Sequence, residues 1–399
     1  MSVMTAISAL VLLGVGVLPV SEQAPAGGGA SAERRTDIVI DGKFDTATEH
    51  VLIPVTIAGH QFWCGPDSGF SALIALDQAK AVTAGLTVAP PMPTPDGNRP
   101  RIGDNSATAT VVIGGVTFAN HTLILRKFPE EAPDMDCVFG VALLRQFVVE
   151  FEHMTPRLIL RDRVSYAPPP GTEAIPLQFL TNPNVAFVDI ELTLADGSTQ
   201  PLHVVPDTGT AFYGALVVGS AVARLTSKTP TAPVILYSDA RATLLAARPA
   251  AVRAGPFAVQ NLVVAVIEGG LSTTGEISNG TLGSGFFRRF TVGFDFEGRK
   301  MYLKPNERIA QPHSFDASGV AFIRRDGRHV VYGVIPNTPA ADAGLRAGDV
   351  LISIDARSAS DLTTVQLRNQ LSEDGATRRL VFERAGAVLQ RVLRLRARI

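Results

Sequence analysis

The sequence predicts a mainly β chain, built as two homologous lobes and followed by a small α+β domain. Three observations carry this. An acidic turn is written twice, as Asp67-Ser68-Gly69 and Asp207-Thr208-Gly209, each after a proline. Each turn is echoed downstream by a short triplet, Val138-Phe139-Gly140 and Thr281-Leu282-Gly283, ending 73 and 76 residues after its Asp (67 to 140, 207 to 283). A third segment then differs in kind, with its own Gly- and Asp-rich pattern after Ala317. A period this long excludes a solenoid and points to duplicated lobes.

The duplication extends to the closing strands. Phe147-Val148-Val149-Glu150-Phe151-Glu152 aligns with Phe290-Thr291-Val292-Gly293-Phe294-Asp295 at an offset of 143 residues (147 to 290). The same offset carries Arg157-Leu158-Ile159-Leu160-Arg161 onto Lys300-Met301-Tyr302-Leu303-Lys304. A lone Asp-Ser/Thr-Gly is ordinary turn chemistry. Placed in two aligned halves, the pair becomes one site with a carboxylate contributed by each.

Along the first lobe (36–166), Leu52–Gly59 reads as a strand entering a hairpin, and Phe62 and Trp63 resume it before the Asp67 turn. Leu76–Gly85 has helical spacing and a Gly stop. Pro90–Asn105 is rich in Pro, Gly, Asp and Asn and reads as a loop, with Ala107–Ile113 as the next strand and Val141–Gln146 as a turn of helix. The second lobe (172–305) repeats the order. Val185–Leu194 and Asp196-Gly197 signal a hairpin leading to the Asp207 turn.

Composition bounds the rest. The 399 residues are 46% hydrophobic, enough for several cores, and 36 Lys+Arg balance 37 Asp+Glu, which speaks against a nucleic-acid surface. The seven His residues lack metal-ligand spacing, and no phosphate loop, dinucleotide fingerprint or nucleophile elbow is present. No metal or other cofactor is expected. The apolar run Ala6–Val20 and the small-residue stretch after it read 1–32 as a secretory signal, with a retained anchor as the competing reading. Both place the body of the chain outside the cytoplasm. Cys64 and Cys137 are the two cysteines; a disulfide and two buried thiols are both open.

The third segment (317–399) contains Thr338-Pro339-Ala340, Ala343-Gly344-Leu345 and Gly348-Asp349-Val350-Leu351, then a helix around Val365–Leu371. It resembles a PDZ domain of the bacterial type. That resemblance implies that Ser318, Gly319, Val320, Ala321 and Phe322 form a carboxylate-binding loop, whose backbone amides hold a peptide C-terminus while the peptide adds as a strand.

The two Asp turns, their triplets and the matched closing hairpins make residues 38–305 resemble the aspartic proteases, the pepsin and retropepsin group (the acid-protease fold). The resemblance implies that Asp67 and Asp207 meet between the lobes as a catalytic dyad acting on polypeptide substrates. Ser68 and Thr208 would brace the turns, and Gly69 and Gly209 would let backbone approach closely. One chain supplies both carboxylates, so catalysis requires no homodimer. An inactive, peptide-binding scaffold is the alternative. Phe70 stands where the family has a small residue, and its ring is expected to narrow the cleft or disturb the dyad. Pro66 and Pro206 lack a backbone donor at strand positions that normally use one.

Overall fold

The structure, a computed structural model, describes residues 37–90, 105–128, 132–180, 182–235, 243–267 and 278–399. The expected signal or anchor and most of the Pro90–Asn105 loop lie outside these residues. Among the described residues the strands form four sheets, with only short helices between them.

In the first lobe the chain runs as an almost wholly apolar, largely buried strand along Val51–Ile57, turns through Ala58 and Gly59 at positive φ, and returns as His60–Pro66. His60–Pro66 ends in the Asp67 turn and pairs parallel with Cys137–Phe139. Cys137–Phe139 in turn pairs antiparallel with Ile74–Asp77. The second lobe repeats this. Thr199–Pro206 ends in the Asp207 turn, pairs parallel with Gly280–Leu282, and that strand pairs antiparallel with Ala215–Val218. The two triplets are thus the strands that cross beside the acidic turns.

The closing hairpins of the two lobes do not stay apart. Val148–Glu152 pairs with Phe290–Asp295, with Val292 opposite Phe151, and the hairpins fuse into one six-stranded sheet between the lobes. Phe151 and Phe294 meet edge to face there, with ring centroids 5.9 Å apart. A shared sheet and one continuous core fix the lobes relative to each other, which a site divided between them requires.

Local signals explain the short helices. Asp77 caps Gln78–Thr83 by accepting from the Lys80 amide, and Thr363 with Gln366 forms a capping box on Thr364–Gln370. The amphipathic Ala221–Lys228 helix in the second lobe is a structural addition beyond the sequence expectations.

Cys64 and Cys137 are register partners on the parallel strands and form a disulfide, with Cα atoms 4.4 Å apart. It closes a loop of 73 residues. Loop-closure entropy for that length corresponds to about 4 kcal/mol. Reduction, or paired Cys→Ala substitution, is expected to lower the denaturant midpoint accordingly. An unchanged midpoint would mean that the crosslink adds nothing beyond the native strand pairing.

Candidate active site

The Asp67 and Asp207 turns face each other and are locked by a reciprocal set of hydrogen bonds. The Ser68 amide donates to Thr208 Oγ1 and the Thr208 amide donates to Ser68 Oγ, both at 3.0 Å. The Ser68 hydroxyl donates to the Pro206 carbonyl at 2.8 Å, and the Thr208 hydroxyl to the Pro66 carbonyl at 3.1 Å. Each hydroxyl is therefore satisfied by the opposite lobe. The prolines supply carbonyls here. The ladder bond beside each is made by the next amide, Asp67 to Phe139 and Asp207 to Leu282, both at 2.9 Å.

The carboxyls are crossed over the opposite glycines. A Cβ on Gly69 would lie 2.8 Å from Asp207 Oδ1, and one on Gly209 would lie 2.6 Å from Asp67 Cγ. Asp67 and Asp207 are buried and hydrogen-bonded to each other. Burial, reinforced by the charge of Asp207, holds the Asp67 carboxyl well above the usual carboxylate range. Burial also raises Asp207, but donors oppose it. Its Oδ1 accepts from the Gly209 and Thr210 amides at 2.8 and 3.0 Å, and its Oδ2 accepts from the Thr210 hydroxyl at 2.7 Å. The corresponding residue after the first turn is Phe70, which has no hydroxyl. One proton is thus favoured on the pair as a unit, and the donors around Asp207, whose Thr210 hydroxyl has no counterpart at Phe70, favour its charged form.

Phe70 does not narrow the cleft. Its ring is fully buried in a first-lobe cluster with Ala75 and Val138, packed against Phe128 and Met135. The turn after Gly69 directs it inward, so the expectation drawn from its size alone is corrected.

A cavity of about 50 Å³ lies against the dyad, bounded by Asp67, Gly209, Phe128, Met135, His50 and His153. Sequence reasoning missed this cluster, because His50, His153 and Arg288 are distant along the chain. Neither ring nitrogen of His50 or His153 has a hydrogen-bond partner among the described residues. Arg288 is ion-paired with Glu49 and donates to the Thr48 carbonyl at 2.7 Å. Burial, then the Arg288 charge, pushes both imidazoles down to about 3. His313, buried near Arg289 and Arg288, is likewise pushed down to about 3.

These three imidazoles resist protonation in the folded chain but accept it near 6.5 when unfolded. The stability they allow is complete above about 6.5 and is lost as pH falls toward 3, by up to about 1.4 kcal/mol per pH unit for each. Asp67, Asp207 and Asp45, all raised by burial, work in the opposite sense, while His329, also lowered by burial, acts with the three imidazoles. The urea midpoint is expected to fall steadily from pH 7 to pH 4.5. A flat midpoint would show that the imidazoles are protonated in the fold.

The C-terminal domain is seated against both lobes. Its Thr364–Gln370 helix donates from the Val365 amide to the Thr46 carbonyl and from Arg368 to the Ala47 carbonyl, both at 3.3 Å. The Arg368 guanidinium also stacks 3.8 Å from the centroid of Phe212, five residues beyond Asp207 and at a strained φ of 67°. A cavity of about 120 Å³ opens there, lined by Phe212, Ile235, Phe322, Leu367, Arg368 and Leu371.

The expected carboxylate-binding loop is present, but its amides are in use. Ser318 and Gly319 donate to the two oxygens of Asp316 at 3.0 and 2.7 Å. Val320 donates to Ser318 Oγ at 3.2 Å. Ala321 and Phe322 continue into the Val320–Arg325 strand, where Phe322 is a core residue stacked with Phe382. The first two amides of the expected seat for a peptide terminus thus face a side chain two residues upstream.

Among the described residues no three His, Cys, Asp or Glu side chains are grouped to hold a metal ion, and no helix is long and apolar enough to cross a membrane. No curated protein matches the chain. Among solved structures, an aspartic proteinase from Irpex lacteus is similar over 70% of this chain and 100% of its own length, at 13% identity and a TM-score of 0.43. The PDZ domain family model matches residues 330–384, so the mainly β chain carries a PDZ domain at its C-terminal end.

Proposed function

We propose that the chain is an aspartic endopeptidase whose dyad is Asp67 and Asp207. The observation that carries this reading is the pair of interlocked turns, which brings two buried carboxyls together, each over the opposite lobe's glycine. A structural pair of surface turns has no need of such a lock.

The roles follow from the asymmetry. Asp207 takes a proton from a water bound between the carboxyls, and the water oxygen bonds to the scissile carbonyl carbon. Asp67 donates its proton toward the carbonyl oxygen, so the tetrahedral intermediate forms as a neutral diol. The proton gained by Asp207 passes to the amide nitrogen, the C–N bond breaks, and the diol collapses to a carboxylic acid as one of its hydroxyl protons returns to Asp67. The apolar wall of Phe128, Met135 and Val138 beside Asp67 favours an apolar substrate side chain there. The Cys64–Cys137 disulfide supports a location outside the cytoplasm.

The test is cleavage of an unfolded polypeptide by the purified chain between pH 3 and pH 8. Activity is expected to peak at mildly acidic pH, where Asp67 holds its proton and the buried imidazoles still tolerate the fold. Absence of cleavage across that range would overturn the reading in favour of a peptide-binding scaffold.

A further inference from the structure

We propose that Arg368 of the PDZ domain is a positioning residue for the dyad, acting through Phe212 on the turn that carries Asp207. Phe212 holds a φ of 67°, a left-handed conformation that is costly for a side chain with a bulky ring. Such a residue keeps its conformation only where its surroundings over-determine it. On one side those surroundings are the second lobe's own backbone. The Tyr213 amide donates to the Ala211 carbonyl at 2.8 Å, the Ser284 amide to the Thr210 carbonyl at 2.9 Å, and the Gly285 amide to the Tyr213 carbonyl at 3.0 Å. The packing is so close that a Cβ on Gly285 would lie 2.7 Å from the Phe212 oxygen. This bend begins at Thr210, whose amide and hydroxyl both donate to Asp207. A change of φ at Phe212 therefore reorients Thr210 and the two donors it gives to Asp207.

On the other side the surroundings belong to the PDZ domain. The Arg368 guanidinium lies 3.8 Å from the centroid of the half-buried Phe212 ring, a cation held on an aromatic face. The same guanidinium donates to the Ala47 carbonyl of the first lobe at 3.3 Å, so one side chain spans both lobes. Three further contacts seat the domain that carries it. The Val365 amide donates to the Thr46 carbonyl, and Asp134 in turn accepts from the Thr46 amide and hydroxyl at 2.8 and 2.6 Å. Arg398 donates to the Pro233 carbonyl, and a Cβ on Gly333 would lie 2.8 Å from Ile235 Cδ1. Phe212 and Ile235 thereby cover the space between the Val320–Arg325 strand and the Thr364–Gln370 helix. This face of the domain is turned onto the second lobe and serves the chain's own geometry. That the turn so held is catalytic rests on the endopeptidase reading; that Arg368 holds it does not.

The test compares the full chain with its Arg368→Gln and Arg368→Lys variants, each confirmed folded by thermal melting, on one unfolded polypeptide substrate. Arg368→Gln is expected to lower kcat by about tenfold or more, with KM changed by less than about twofold. Arg368→Lys keeps a cation near the ring and should recover kcat to within about threefold. Glycine adopts positive φ freely, so in a Phe212→Gly background Arg368→Gln should change kcat by less than about twofold. A loss of full size in that background overturns the proposal, since Arg368 would then act only by holding the domain in place. A raised KM with kcat unchanged overturns it as well. Hydrogen exchange gives a readout that needs no activity. Arg368→Gln should speed exchange by about tenfold or more in the segment 207–214 and leave the central-sheet segment 290–295 unchanged. Equal acceleration in both segments, or in neither, overturns the proposal. If the unsubstituted chain cleaves nothing, the endopeptidase reading falls and exchange alone decides whether Arg368 holds the turn.

Discussion

Asp67→Asn and Asp207→Asn are each expected to lower peptide-bond cleavage by about 10⁴-fold or more, on the scale of losing a positioned acid or base. Both substitutions preserve shape, so packing around the turns should survive. Their consequences differ in kind. Asparagine at 67 can still donate a hydrogen bond to the carbonyl but cannot surrender a proton. Asparagine at 207 removes the base and leaves the Thr210 hydroxyl facing an uncharged acceptor. Asp67→Asn is therefore expected to leave thermal stability unchanged or raised, since it removes a buried ionisable group whose charged form is disfavoured. Cleavage that persists in both variants would sink the dyad assignment. A melting temperature lowered equally by both would refute the unequal sharing of the proton.

Gly209→Ala is expected to be nearly as damaging without touching a carboxylate. The new Cβ would sit 2.6 Å from Asp67 Cγ, inside any separation that real Cβ atoms show. Asp67 cannot yield, because the Gly69 amide holds its Oδ1 at 2.8 Å and Asp207 engages the carboxyl. The turns must separate, and a displacement of about 1 Å at such a site costs on the order of 10²-fold in rate. Overpacking of this kind costs roughly 1–3 kcal/mol in stability. Gly115→Ala is the control. That glycine has φ +85° and open space around its Cβ, so only a backbone penalty of about 1 kcal/mol is expected, with activity retained. Kinetics and denaturant midpoints for the two variants separate the cases. Equal activity in both would mean that the close crossing of Asp67 over Gly209 is not needed.

Much of this arrangement was legible along the chain. The Asp-Ser/Thr-Gly turns, the Gly140 and Gly283 triplets and the Gly344 to Leu351 signature are all set by local backbone needs. The strand and hairpin at Leu52–Gly59 and the short helix within Leu76–Gly85 were readable for the same reason. The fused sheet was not. Each closing hairpin reads as complete by itself, and nothing in its alternation says that Val292 will lie opposite Phe151. The direction of Phe70 was equally hidden, because size predicts a clash only where the side chain points into the cleft. His50, His153 and Arg288 carry no spacing signal, since their meeting depends on three separate segments folding onto one cavity.

The sequence by itself determined which residues could serve as a split dyad, that two lobes would present them, and that a PDZ domain would follow. Those properties depend on residue type and short-range periodicity. Tertiary structure alone decided that both carboxyls are buried facing each other and that the amide and hydroxyl donors of Thr210 at Asp207 have no hydroxyl counterpart at Phe70. It also decided that Asp316 faces the first two amides of the loop expected to receive a peptide terminus. These outcomes turn on burial and on which donor reaches which oxygen within about 3 Å, distances that chain order does not encode.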